Sequence, residues 1–149
     1  MKTNKIIAII LALCCVMSVF LAVPAFAAED NFPYSFELES SMGSSYSSDG
    51  YNRETSYPDN PWKVNMTYSS EGQGTAAYYW IATSIVHTQC SNRYLVTQGS
   101  GDNYFRAYDD IQNKTVKLGV KNNNNVSQSY EVAGYWDEEV GVIMNDLPL

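Results

Sequence analysis

The sequence is poor in the residues that staple small extracellular domains or hold metal in them. Its 149 residues include three cysteines and one histidine. Cys14 and Cys15 lie in an N-terminal apolar run, so Cys90 stands alone in the rest of the chain and no disulfide can form within it. His87 and Cys90 supply two of the four ligands of a structural zinc site, and no second pair accompanies them. Lys and Arg form no cluster, which excludes the basic footprint of a nucleic-acid binder. Past residue 27 no apolar run approaches the ~18 residues needed to span a membrane. Apolar residues nowhere recur at i, i+3, i+4 and i+7, so amphipathic helices are not expected.

The N-terminus carries the clearest positive signal. Lys2 and Lys5 precede an apolar run over residues 6–23, and Pro24-Ala25-Phe26-Ala27 closes it with small residues where a signal peptidase reads. Residues 1–27 therefore read as a secretory signal peptide, leaving residues 28–149 as a single exported domain. An uncleaved anchor is the alternative. Lipidation is rejected, because Leu13 is too large for the position before a lipobox cysteine and Cys14 sits mid-run. The leader takes Lys2 and Lys5 with it, so seven Lys plus Arg face 16 Asp plus Glu, a net charge of −9. Such a chain is repelled by nucleic acid and by anionic lipid.

Residues 28–149 are rich in strand formers and in turn residues. Twelve Tyr and three Trp alternate with Ser, Asn, Thr and Gly. Seven strands are expected. Tyr34, Phe36 and Leu38 share one face of the first, and Trp62, Val64, Met66 and Tyr68 one face of the second. The third carries Ala76, Tyr78, Trp80 and Ala82 on one face and Tyr79 and Ile81 on the other, as in a central strand covered on both sides. Residues 94–98, 104–108, 116–120 and 130–136 complete the series. The turns are Glu71-Gly72-Gln73-Gly74, residues 99–103 and the Asn-rich residues 122–125. Short strands punctuated this way predict an all-β fold, a single antiparallel β-sandwich. The Ser-rich residues 40–48 read as a connecting loop.

With the strands laid out, Trp62-Lys63-Val64-Asn65, Gln98-Gly99-Ser100-Gly101 and above all Gly134-Tyr135-Trp136-Asp137-Glu138-Glu139 form a recognisable order. It resembles an uncharacterised family of small secreted β proteins of Gram-positive bacteria, a domain of unknown function, over about residues 29–139. Size, composition and export are also similar to lactococcin-type bacteriocins. The resemblance implies a short exported β protein acting at the cell envelope, and it brings no catalytic residues with it.

The residues themselves offer several chemistries. His87 and Cys90 could pair as base and nucleophile, or simply flank a turn. Cys90 could cross-link two chains, or lie buried and inert. Asp102, Asp109, Asp110, Asp137, Glu138 and Glu139 could supply a glycosidase pair or calcium oxygens, but no calcium-loop spacing is present and solvated turns use acids equally well. Trp62, Trp80 and Trp136 are expected in the core. Tyr46, Tyr51 and Tyr57 fall among Ser and Asn, are expected to be exposed, and are the binding candidates, since a rigid amphipathic ring beside short hydrogen-bonding groups makes an adaptable face. The expected function is a secreted protein without catalytic residues, metal or cofactor, bacteriocin-like or bacteriocin-associated. Its expected partner is a cell-envelope component or surface protein, and exposed strand edges leave self-association open. A wall- or carbohydrate-binding matrix module is the first alternative, and a small extracellular hydrolase the second.

Overall fold

Alternation along the chain becomes nine antiparallel strands in two packed sheets in the computed structural model, which describes residues 29–40, 43–123 and 128–148. The leader reading over residues 1–27 lies outside the described residues. The strands are β1 (Phe32–Leu38), β2 (Ser44–Tyr46), β3 (Tyr51–Arg53), β4 (Trp62–Ser69), β5 (Ala76–Thr83), β6 (Tyr94–Thr97), β7 (Asn103–Phe105), β8 (Lys114–Asn122) and β9 (Tyr130–Asp137). One sheet runs β1-β9-β4-β7. The other runs β2-β8-β5-β6, with β3 also paired to β8. No helix occurs among the described residues. The expected all-β sandwich is therefore the fold, and the expected strands are seven of the nine.

Of the other two strands, β2 corrects the loop reading of residues 40–48, and β3 adds a strand just beyond it. Ser44–Tyr46 pairs with residues 119–121 of β8, and Tyr51–Arg53 with residues 114–116. Serine carries little β preference, so a strand here depends on a neighbour already in place. The long β8 is that neighbour, with Leu118 and Val120 anchored in the core. A second correction falls in β4. Register against β9 shifts between Met66 and Tyr68, so one residue is extra. The bulge turns Tyr68 outward and Ser69 inward, against the simple alternation read from the sequence.

The inner faces meet in one apolar core. Leu38, Trp62, Val64 and Met66, with Val132 and Trp136, face Tyr79, Ile81, Val96, Val116 and Leu118 of the other sheet. Each fully buried Val, Leu, Ile or Met contributes about 1.5–3 kcal/mol, which is how a chain without a disulfide stays folded. Buried polar contacts also join the two sheets, one of them from the Tyr130 hydroxyl to Asn122 Oδ1 at 3.1 Å. The Tyr34 hydroxyl lies 3.1 Å from that of Tyr79 and 3.2 Å from the Asn65 carbonyl. Burial pushes both phenols well above the ordinary range, so they stay neutral.

Two glycines let side chains and strands lie closer than any other residue would allow. On the outer face of the second sheet Trp80 lies over Gly119, where a Cβ would stand 2.4 Å from the indole ring. Tyr46, the β2 partner of Gly119, meets Trp80 edge-on at 5.8 Å, and the Arg93 guanidinium covers it at 4.5 Å. Trp80 is thus buried on the side away from the core, and β5 is covered on both faces as its sequence implied. Gly134 is tighter still. A Cβ there would stand 1.8 Å from the Asn65 carbonyl oxygen of β4. Backbone cannot yield as a flexible side chain can, so Gly134→Ala is expected to lower stability by about 3 kcal/mol or more, whereas Ala133→Gly should cost about 1 kcal/mol. Urea unfolding of the two variants measures the difference.

Candidate functional site

The strand registers sort the loops onto two ends of the sandwich. Residues 39–40 and 43, loops 70–75 and 98–102, and residues 123 and 128–129 lie at one end, where residues such as Ser70, Gln73 and Ser100 are polar. Residues 29–31 and loops 54–61, 84–93, 106–113 and 138–148 lie at the other. They are tied there by Met144 N–H to the Asp59 carbonyl at 2.9 Å, Arg106 to Asp59 at 3.3 Å, and Ser84 N–H to the Thr115 carbonyl at 3.0 Å.

Between β1 and the β2–β3 segment, along the side of the sandwich, runs a groove of about 340 Å³. Its walls include Tyr34 and Phe36 from β1, Tyr46 and Tyr51 from the facing strands, and Ser48 and Asp49 on the rim. Local geometry holds the walls. Tyr51 stacks on Phe32 with ring centroids 3.4 Å apart and meets Trp136 edge-on at 5.7 Å. Tyr46 stacks on His87 at 3.9 Å. The rim bends where the chain leaves β2. Ser47 Oγ donates to the Asp49 carbonyl at 2.7 Å and accepts from Leu118 N–H at 3.1 Å, and Lys117 Nζ donates to the Ser48 carbonyl at 2.7 Å. The result is an aromatic trough with hydroxyls and one carboxylate at its edge.

The structure brings two of the three binding candidates together and leaves the third apart. Tyr46 and Tyr51 share the groove, half-buried rather than exposed as expected, because each ring leans on another aromatic. Tyr57 is exposed as expected, but it belongs to the 54–61 loop at the end of the sandwich. Phe36, Ser48 and Asp49 were not among the candidates. Their placement depends on β1 facing β2, which no local pattern encodes. A second, open cleft of about 380 Å³ lies beside Asn92, Tyr94, Arg106 and Tyr108.

His87 and Cys90 take different places: Cys90 in the core, His87 on the outer face of the second sheet. Cys90 is buried in the core with its thiol 3.3 Å from the Thr88 carbonyl, and burial pushes its pKa up, away from the reactive thiolate. His87 stacks on Tyr46, the partner of Trp80 on the outer face of the sheet. Asp109 and Asp110 are exposed and pair with Arg106 and Lys114 at 3.8 Å. No group of three His, Cys, Asp or Glu residues able to hold a metal ion occurs among the described residues.

Asp102 sits in a separate polar network on the outer face of the first sheet. It accepts from Asn65 Nδ2 at 2.6 Å and from the Tyr135 hydroxyl at 2.7 Å, with Lys63 Nζ 3.9 Å away. Partial burial raises its pKa, but those hydrogen bonds and the lysine outweigh burial and hold the carboxyl below its ordinary value. Lys63 is itself fully buried, held by Glu29 and by Asn31 Oδ1 at 2.7 Å.

Every residue of Gly134-Tyr135-Trp136-Asp137-Glu138-Glu139 has a structural task. Gly134 allows the close strand approach, Tyr135 binds Asp102, and Trp136 fills the core. Asp137 accepts from Asp30 N–H at 3.0 Å and from Glu139 N–H at 3.1 Å. The Glu138 carbonyl accepts from Arg53, and the Glu139 carboxylate accepts from Thr55 N–H at 2.8 Å and Glu54 N–H at 3.2 Å. The three acids therefore latch the end of β9 to residue 30 and to the segment after β3. Glu138 is the weak member. Its Oε2 is buried without a hydrogen-bond partner, and burial, with Asp137 and Glu139 beside it, pushes its pKa up to about 7. Burial also raises Asp137.

A carboxyl whose pKa is higher folded than unfolded binds more protons when folded. Its contribution is complete below the ordinary value of 4.5 and is lost as pH rises through about 7. Asp102 acts oppositely, so its contribution fades in acid. The urea midpoint is expected to be higher at pH 5 than at pH 8 by an amount worth about 2 kcal/mol, and Glu138→Gln should remove most of that difference.

Neither a curated protein nor a solved structure matches this chain. A family model does match it, over residues 21–140, which takes in all nine strands and the whole Gly134–Glu139 latch. The chain belongs to the family described as Protein of unknown function (DUF2712).

Proposed function

We propose that this chain is an exported, non-enzymatic protein that binds a cell-envelope component of Gram-positive bacteria, in a bacteriocin-like or bacteriocin-associated role. The observation that carries the reading is the groove, lined by Tyr34, Phe36, Tyr46 and Tyr51 together with Ser48 and Asp49. Aromatic walls with a few placed hydrogen-bonding groups suit a ligand that presents flat apolar faces and hydroxyls together. The net charge of −9 without the leader and the Asp49 carboxylate select against anionic chains. Uncharged wall glycan meets both conditions. The burial of Cys90 and its separation from His87 favour binding over catalysis.

Purified peptidoglycan is the probe. The chain from Ala28 should sediment with it, and Ser48→Trp, an exposed rim position where an indole would fill the groove, should weaken binding at least about tenfold while leaving the circular dichroism spectrum unchanged. Equal sedimentation of both proteins would remove the groove from the function. Clearing of Gram-positive lawns by the wild type, lost in the same variant, would establish the bacteriocin-like role, and no clearing would leave a wall-binding module.

A further inference from the structure

The exposed apolar side chains of this protein are not scattered. Among the described residues, six of the eight large exposed ones (Tyr57, Ile85, Val86, Tyr108, Val142 and Ile143) stand on the four loops at one end of the sandwich. Ile85 and Val86 protrude furthest, 89% and 74% exposed at the tip of a turn closed by Thr83 N–H to the Thr88 carbonyl at 2.8 Å. Single exposed apolar residues are ordinary, but their concentration on the loops of one end points to an interaction surface. The described loop residues at the opposite end include Ser70, Gln73 and Ser100.

The chain enters at the apolar end. Phe32 pairs with Trp136 at the start of β1, and residues 29–31 are fastened there by Lys63 and Asp137. The apolar run read in the sequence over residues 6–23 therefore joins the domain on the same side as the exposed tips. Residues 24–28 separate the two, a reach of about 17 Å at full extension. While the leader lies in the membrane, so short a tether keeps this end of the sandwich facing the lipid.

We propose that the end bearing Ile85, Val86, Val142 and Ile143 is a lipid-facing surface whose loop tips enter the interface of an uncharged or zwitterionic bilayer. Protruding β-branched and tyrosine tips suit entry between headgroups better than the closure of a flat protein interface. Asp59, Asp109, Asp110, Glu54 and Asp146 on these loops outnumber Arg93, Arg106 and Lys114, two of which pair with them, and so oppose an anionic surface. The orientation rests on the leader reading and is independent of the groove.

Flotation with phosphatidylcholine vesicles tests this, using the chain from Ala28, which contains the whole described fold and lacks the leader. The wild type should float, and vesicles enriched in phosphatidylglycerol should carry several-fold less. The four-site variant with Ile85, Val86, Val142 and Ile143 each changed to Ser should lose at least tenfold while keeping its urea midpoint, since all four side chains are exposed. Ser48→Trp should float like the wild type, which separates this surface from the groove. No flotation on phosphatidylcholine, or flotation that the four substitutions leave unchanged, overturns the proposal. So does concentration-dependent dimerisation that the same four substitutions abolish, because the surface would then belong to a second copy.

Discussion

Arg53 ties the two sheets together at the end of the sandwich where the chain enters. Its side chain is buried, and its guanidinium donates to the carbonyls of Glu138, Asn60 and Tyr57. A buried cation costs several kcal/mol in lost hydration, so it persists only when its donors are used and compensating charge is near. Burial lowers its pKa to about 10, with Glu139, Glu138 and Asp137 pulling the other way, and it stays charged at neutral pH. The fork geometry is the reason for arginine here. One planar group reaches three carbonyls from two segments, which a lysine point charge could not orient. Glu139 repeats the connection in reverse by accepting from the amides of Glu54 and Thr55. Both the groove wall at Tyr51 and the loop carrying Tyr57 hang from this junction.

A sandwich without a disulfide must also resist sliding of its sheets and slippage of its strands. Packing of core side chains such as Trp62, Trp136 and Tyr79 drives the burial of apolar surface, but it is weakly directional. Direction comes from a few contacts that tolerate no shift. The Tyr34 and Tyr79 hydroxyls meet across the core. Gly134 admits the Asn65 carbonyl where no Cβ could sit, and Gly119 admits the Trp80 ring. A one-residue slip of β9 against β4 would place Tyr135 or Ala133 at that carbonyl, which sterics forbid.

The same framework leaves two different surfaces. The groove lies along the side, where the edge strands β1 and β2–β3 face each other without joining. The apolar tips lie at one end, where loops have freedom to protrude. The two surfaces share no residue, so ligands at them would not compete.

Much of the fold was legible because a strand buried on one face imposes a period of two on its own residues. Tyr34-Phe36-Leu38 and Val116-Leu118-Val120 show that period, and Glu71-Gly72-Gln73-Gly74 marks a turn where Gly72 and Gly74 do take positive φ. The bulge at Thr67 was not legible, since an extra residue shows only against its partner strand. Nor were β2 and β3, whose serines and polar residues pair because β8 waits beside them. Tyr46, Tyr51 and Tyr57 could be picked out by composition, but not sorted between groove and loop tip. The sequence by itself determined the β class, the lack of a disulfide, the acidity and the core faces, because these depend on residue type and local spacing. Only the tertiary structure decided that Cys90 lies in the core while His87 stacks on Tyr46, that the acidic run Asp137–Glu139 becomes an internal latch, and that the loops carrying Ile85 and Val142 lie at one end, because each depends on pairing between residues distant in the chain.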